Sequence, residues 1–493
     1  MFNRFLPLLI LLSLTGWQAH VKETQPTVQP NILWIFGEDM GVELSLLDVP
    51  EVHTPNIDAL AQKGMYFTQA FTTAPVCSPA RSAINTGMYQ MAIGAHNHRS
   101  HRPDDTSAYP FPLPDGVQVI SDHMRHAGYF TANIREMPED AWFRGTGKTD
   151  WNFTYAGKPF DSDKWADLKN NQPFYAQVNF PETHRGKDWN EAHEHIDKPA
   201  DPDNVVLPSY YPDHPVVRED WAQYLNAVMA LDRKVGDVLS FLERDGLAKQ
   251  TIVVFMADHG RAMVRGKQWP YDSGLHVPML IYIPESLPAP EGYSPGSMSS
   301  QLVHSIDMTA TTIALAGSQK PPAMQGRVLF GPQMEPPRTY VFGGRDRGDE
   351  TVDRIRTVRS RRFRYIRNYY PDRPLLQMNG YKEATYETIW VMRKLHQEGK
   401  LTPEQAYLMA PTRPTEELYD VIADPYEINN LASSADHHEI LRQLSHELDG
   451  WMTEIDDQGR FPEPASVQAY YEARMIRNYA ERINALHEKW GIE

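Results

Sequence analysis

The sequence predicts an α/β protein: a doubly wound, mostly parallel sheet sandwiched by helices, followed by a smaller C-terminal α+β domain with an antiparallel sheet. Three observations predict it. Short apolar runs alternate with stretches of helical periodicity through the first two thirds of the chain. Several of these runs are apolar throughout, as strands buried on both faces are. From about Thr339 the texture changes, and residues 356–369 alternate basic with apolar or aromatic side chains, as antiparallel strands do.

The elements follow in order. Residues 31–36, bounded by Pro30 and Gly37, read as a buried parallel strand. Thr54 and Pro55 open a helix, Thr54 as cap and Pro55 in the first turn. Ile57, Leu60 and Ala61 share its inner face, and Gly64 ends it. Residues 65–71 form a strand; a turn leads to Cys77, and Pro79 starts the next helix. Residues 117–127 read as a helix stopped at Gly128, and 129–134 and 174–180 as strands. From Trp221 to Leu242 apolar residues recur at helical spacing, and Gly246 closes that helix. Residues 251–257 and 279–283 are further strands. In the last part, 417–420 and 428–431 lead into a helical tail over 465–490. Pro-rich stretches near 110–114, 199–215 and 284–295 read as surface loops. The expected division is a first domain over 30–335 and a second over 336–493.

Charge and cysteine content narrow the function. The 493 residues carry 48 Lys and Arg against 64 Asp and Glu, a formal net charge of -16. No long basic run interrupts this, which argues against nucleic-acid binding, because neutralising phosphates needs clustered cations. An acidic protein that handles an anion must gather positive charge locally or borrow it from a metal. The N-terminus has the form of a secretory signal over residues 1–19: Arg4, an apolar run over 6–14, then small residues near Gly16 to Ala19. The expected location is outside the cytoplasm, periplasmic or secreted. The run is too short to span a bilayer, and no other stretch reaches that length. Cys77 is the only cysteine, so no internal disulfide exists and its role is either buried packing or reactivity.

Three polar clusters stand just after expected strands: Glu38-Asp39, Cys77 to Arg81, and Asp258-His259. Open α/β sheets place ligands at the carboxyl ends of their strands. Adjacent carboxylates there repel unless a cation sits between them, and hard oxygen ligands suit calcium or magnesium. Cys77-Ser78-Pro79-Ala80-Arg81 adds a motif, flanked by Thr54-Pro55-Asn56-Ile57-Asp58 and Thr86-Gly87-Met88-Tyr89. On these residues the chain resembles the type I, formylglycine-dependent sulfatases of the alkaline phosphatase superfamily. It looks most like the bacterial enzymes that act on sulfated carbohydrates.

The resemblance implies one calcium ion and conversion of Cys77 to formylglycine by a maturing enzyme before folding. The aldehyde hydrates; one hydroxyl attacks sulfur, and the other then loses its proton and expels sulfate. It implies that Glu38, Asp39 and Asp258 hold the metal with the side chain of residue 77, Glu38 replacing the family's usual aspartate, and that His259 is a further ligand or orients one. Arg81, one turn on, steadies the modified side chain. Lys148 in Gly147-Lys148-Thr149 and Lys267 in Arg265-Gly266-Lys267 match sulfate-binding lysines. His184 matches a histidine that protonates the leaving alcohol or hydrogen-bonds the sulfate. Asp150 stands where the family often has histidine, and is expected to hold Lys148 or a sugar hydroxyl. His96, His98, Arg99 and His101 form a basic loop read as a substrate rim, joined by Arg345 from the second domain. A phosphodiesterase or phosphonate hydrolase of the same superfamily, or a non-catalytic binder of sulfated glycans, remains the alternative.

Overall fold

The computed structural model describes residues 29–100 and 111–492. The signal expected at 1–19 and His101 lie outside the described residues. Among the described residues no helix is long and apolar enough to cross a membrane.

The main sheet has eight strands: β1 Asn31–Gly37, β2 Met65–Phe71, β3 Phe130–Glu136, β4 Ser162–Lys164, β5 Phe174–Phe180, β6 Thr251–Ala257, β7 Met279–Tyr282 and β8 Ser297–His304. Their order is β4-β3-β5-β1-β6-β7-β2-β8. Every pairing is parallel except those of β7, which runs against both β6 and β2.

Successive side chains of a strand point to opposite faces, and the core divides accordingly. Leu33 and Ile35 of β1 join Val253, Phe255 and Ala257 of β6 in one buried cluster. Ile32, Trp34 and Phe36 join Ile252, Val254 and Met256 in the other. The first face is covered by the Pro215–Arg244 helix through Leu225, Val228, Leu231 and Val235. The second is covered by Ile84 of the Cys77–Thr86 helix, Met124 of the Ile120–His126 helix and Met308 of the Ser305–Leu315 helix. This is the doubly wound sandwich that the apolar runs predict.

The smaller sheet holds β9 Val341–Arg345, β10 Ile355–Arg359, β11 Phe363–Asn368 and β12 Glu416–Asp420, in the order β12-β11-β10-β9, all antiparallel. The His438–Glu454 helix packs Leu444, Leu448 and Trp451 against Val358, Tyr365 and Leu418 of this sheet. The core does not stop at residue 335: Ile355, Ile366, Ile389 and Val391 share a cluster with β1 and β6.

Four local differences from the sequence reading have physical reasons. The helix after the turn starts at Cys77, two residues before Pro79, because a first-turn proline leaves no intrahelical bond unmade. Thr54 makes no side-chain cap; its hydroxyl donates to Asp58 Oδ1 at 3.0 Å instead. Three of the four basic residues of β10 and β11 are buried: Arg356 pairs with Asp346 and Asp457, Arg359 with Asp272, and Arg364 with Asp272 and Glu427. The strand β8, with its mixed serines, and the His438–Glu454 helix went unread.

Candidate active site

The site begins with three strands that end level. β1 lies between β5 and β6, and Gly37 is in register with Phe180 on one side and Ala257 on the other. The residues that follow therefore emerge at one edge of the sheet: Glu38 and Asp39 after β1, Thr183 and His184 after β5, Asp258 and His259 after β6. Asp39 takes a left-handed backbone conformation (φ 52°), a strain that functional sites retain when the surroundings enforce it. The Cys77–Thr86 helix, buried along its whole length, brings its first residue to the same place. Cys77 is thus at the positive end of a helix, and Arg81, four residues on, shares its face.

Arg81 ties the strand ends together. Its Nε donates to Asp258 Oδ2 at 2.9 Å and its Nη1 to Asn179 Oδ1 at 2.7 Å, while Nη2 stands 3.7 Å from Glu38 Oε1. Lys267 Nζ donates to Asp39 Oδ2 at 2.6 Å, and Lys148 Nζ to Glu38 Oε2 at 2.9 Å. Cys77 Sγ lies 3.5 Å from Asp39 Oδ1 and 3.2 Å from His259 Nε2. Burial alone would raise the Cys77 thiol; the positive charges of Lys148 and Lys267 outweigh it and bring the pKa down to about 6.

One group of donors has the chemistry of a metal site. Ligand atoms of Asp39, Cys77, Asp258 and His259 all lie within 4.8 Å of one another. His259 Nδ1 is 2.8 Å from the Gly260 carbonyl, which can only accept, so Nδ1 carries the proton and a neutral ring turns a lone pair at Nε2 toward the group. Nε2 meets Asp39 Oδ1 at 2.9 Å. Two acceptors at that distance need a cation or a proton between them. Burial opposes a charge on the ring, yet the Asp39 and Asp258 carboxylates pull its pKa up to about 10. Hard carboxylate oxygens and an imidazole nitrogen gathered this closely fit a divalent ion. Glu38 stands beside this group rather than in it, turned toward Lys148 and Arg81.

A cavity of about 480 Å³ opens over these groups, lined by Glu38, Cys77, His98, Ser100, Thr146, Lys148, Asp150, His184, Lys267, Asp349, Tyr381, Arg474, Met475 and Tyr479. His184 Nδ1 faces the Arg185 carbonyl at 3.1 Å, which leaves Nε2 unspent. His98 pairs with Asp349 at 3.0 Å, and Asp150 accepts from Ser100 Oγ at 2.7 Å and lies 4.0 Å from Lys148. A larger cavity of about 990 Å³, lined from Pro50 to Arg233, holds none of these residues.

The sequence-derived residues divide. Glu38, Asp39, Cys77, Arg81, Lys148, His184, Asp258, His259 and Lys267 come together, with His98 and Asp150 on the cavity wall. His96, Arg99 and Arg345 do not line that cavity. His96 is buried near Arg99 and Arg356, where desolvation brings its pKa down to about 3. Arg99 spans Glu463 at 3.3 Å and the Gly94 carbonyl, with its guanidinium 3.5 Å from the Phe111 ring centre. Arg345 is buried 3.7 Å from Asp353. The sequence reading missed Asn179, which holds Arg81, and the part of the wall formed by Asp349, Tyr381, Arg474 and Tyr479. These four have no motif, and only the fold brings them here.

The sulfatase family profile matches residues 30–318. The chain belongs to the sulfatase family. Its relatives include an ulvan-active sulfatase of Formosa agariphila, 32% identical over 475 residues, covering 88% of this chain and 76% of that protein. The solved structure of yidJ from Bacteroides fragilis superposes with a TM-score of 0.63 at 20% identity, covering 90% of this chain and 99% of that one. A phosphonate monoester hydrolase from Silicibacter pomeroyi does so with a TM-score of 0.59 at 17% identity, covering 87% and 96%. At these identities the structural likenesses show the fold alone. As a member of the sulfatase family, the chain is a sulfuric ester hydrolase.

Proposed function

We propose that this sulfatase hydrolyses sulfate esters of a sulfated carbohydrate in the cavity over Cys77, with Cys77 converted to formylglycine and a calcium ion held beside it. The observation that carries the reading is the meeting of the thiol with two lysines and a buried arginine, each braced by a carboxylate. The relative that acts on ulvan supports a polysaccharide-derived substrate.

Asp39, Asp258, His259 and the side chain of residue 77 would hold the ion, while Glu38 holds Lys148 beside them. Calcium, once bound, would supply Lewis-acid chemistry, and residue 77, once converted and hydrated, would offer an oxygen nucleophile in place of its thiol.

The rest falls to the chain's own side chains. Lys148 and Lys267 orient the sulfate and stabilise charge gathering on its oxygens. Arg81 fixes the position of residue 77 by holding Asp258 and Asn179, the neighbours on either side. Asp39 Oδ1 and His259 Nε2, within 3.5 Å of the Cys77 sulfur, would set the ion against the side chain of residue 77. His184 keeps Nδ1–H on the Arg185 carbonyl and delivers a proton from Nε2 to the departing sugar oxygen. His98 and Asp150 hold sugar hydroxyls at the rim. His96, Arg99 and Arg345 support that rim from behind.

The test is a mass spectrum of the Cys77 peptide, from a host able to carry out the conversion, together with sulfate release from sulfated sugars. An aldehyde in place of the thiol, with turnover abolished by Cys77→Ala, is expected. Turnover by the Cys77→Ala protein would sink the mechanism. Faster hydrolysis of phosphonate than of sulfate esters would favour the rival reading.

A further inference from the structure

The basic groups around the cavity are not equivalent. Lys148 is spent on Glu38 at 2.9 Å and Asp150 at 4.0 Å, Lys267 on Asp39 at 2.6 Å, and His98 on Asp349 at 3.0 Å. Arg474 also lines the cavity, and among the described residues no carboxylate stands within 4.0 Å of it. A half-buried guanidinium on the wall of a binding cavity, without an anion, is a site waiting for one.

Its surroundings are built rather than accidental. Arg474 sits on the Ala465–Trp490 helix, whose residues Val467, Tyr471 and Met475 are buried at four-residue spacing. Tyr479 continues that stripe into the cavity, its ring 6.2 Å from that of Tyr381. The Tyr381 hydroxyl is buried on the same wall, with no hydrogen-bond partner among the described residues. Lys267 Nζ lies 5.3 Å from the Tyr381 ring centre, and the half-buried Tyr479 phenol feels the Asp349 carboxylate first and then Arg474 and Lys267. The unpaired arginine and the sulfate-binding lysine therefore face one enclosed space. A cavity of this volume falls within the range, roughly 300–1,000 Å³, that encloses small ligands.

We propose that Arg474 reads a second anionic group of the substrate, a carboxylate or a further sulfate, on the sugar that bears the scissile ester or on its neighbour. This rests on the sulfatase reading above and names the substrate class: sugars with at least two negative charges. Arg474 is a specificity residue and takes no part in bond cleavage. The orphan Tyr381 hydroxyl offers the adjoining hydrogen bond to a sugar hydroxyl.

The experiment compares kcat/KM for three substrates: a neutral glycoside with one sulfate, the same glycoside with two, and the monosulfate linked to a uronic acid. The matured protein is expected to prefer one doubly charged substrate by about 10- to 100-fold, the weight of a charge-assisted contact. Which one it prefers tells a sulfate from a carboxylate. Arg474→Ala is expected to bring the ratio toward one, and Arg474→Lys to restore part of it. No preference in the parent protein, or a ratio that Arg474→Ala leaves intact, overturns the proposal. If no sulfate ester is cleaved, the sulfatase reading has failed by itself. Calorimetric binding of the same three sugars to Cys77→Ala, with and without Arg474→Ala, then decides: a lost preference supports the proposal and an unchanged one overturns it.

Discussion

Lys267, Arg81 and His184 respond to substitution in different ways, because each is bonded differently. Lys267 is 3% exposed and neutralises Asp39, itself fully buried. Lys267→Ala leaves that carboxylate without its cation, so a loss of about 3–5 kcal/mol in stability is expected along with lost turnover. Chemical denaturation and sulfate release measure the two. Arg81 donates in two directions at once, to Asp258 and Asn179. Lysine reaches only one of them, so Arg81→Lys is expected to lower kcat by about 100-fold despite keeping the charge. His184 has one free nitrogen. As a general acid it matters only where the leaving oxygen needs a proton, so His184→Gln should slow cleavage of a sugar sulfate by about 10²–10⁴-fold. The same variant should barely affect 4-nitrophenyl sulfate, whose phenolate leaves unaided. Equal losses on both substrates would remove the proton-donor role.

The Ala465–Trp490 helix shows what an element adds to a site that motifs had only outlined. It is fastened at its start by Glu463, which takes Arg99 at 3.3 Å and Arg347 at 2.5 Å. Near its end Trp490 Nε1 donates to Glu387 at 3.1 Å. Glu463→Ala would strand two buried guanidinium groups, and a loss of about 3–5 kcal/mol is expected, with KM rising as the helix loosens from the cavity wall. Urea denaturation and a KM-against-kcat comparison test this. The sequence read this helix, because its apolar positions recur with a helical period. It could not show that the helix covers the cavity, since nothing local in Arg474 or Tyr479 marks their neighbours. The strand ends were legible for the opposite reason: an apolar run followed at once by Glu38-Asp39 or Asp258-His259 announces both the element and the edge at which it stops. The rim loop was misleading in part. Basic side chains such as Arg99 look solvated in a sequence, but here they are buried in ion pairs whose acidic partners are hundreds of positions away.

Over the whole molecule, buried ion pairs set the response to acid. Burial would raise the Asp457 carboxyl, but the Arg356 guanidinium outweighs it and holds it at about 2, below the ordinary 3.8. Asp272 and Asp349 are likewise pulled well below the ordinary value against the effect of burial, by Arg359 and Arg364 and by His98 respectively. Groups depressed in the folded state stabilise it fully above their unfolded pKa, and that contribution is lost as pH falls through the folded value. Burial pushes Asp232 up to about 6 and Glu350 up to about 7, so their contribution declines as pH rises from about 4 through those values. The melting temperature is therefore expected to peak in mildly acid solution and to fall steeply between about pH 4 and 2. A midpoint that stayed level from pH 5 to 2 would contradict the ion-pair account.

The level ending of β5, β1 and β6 has a further consequence, one of timing. Lys267 meets Asp39 across 228 positions and Arg81 meets Asp258 across 177. Contacts that close such long loops form late, because the chain entropy is lost before the contact rewards it. Helix content should therefore return early when the unfolded protein is diluted from denaturant, and hydrolysis only when the last long-range pairing is made. Catalytic competence thus serves as a clock for the final step of assembly, and one that circular dichroism would miss.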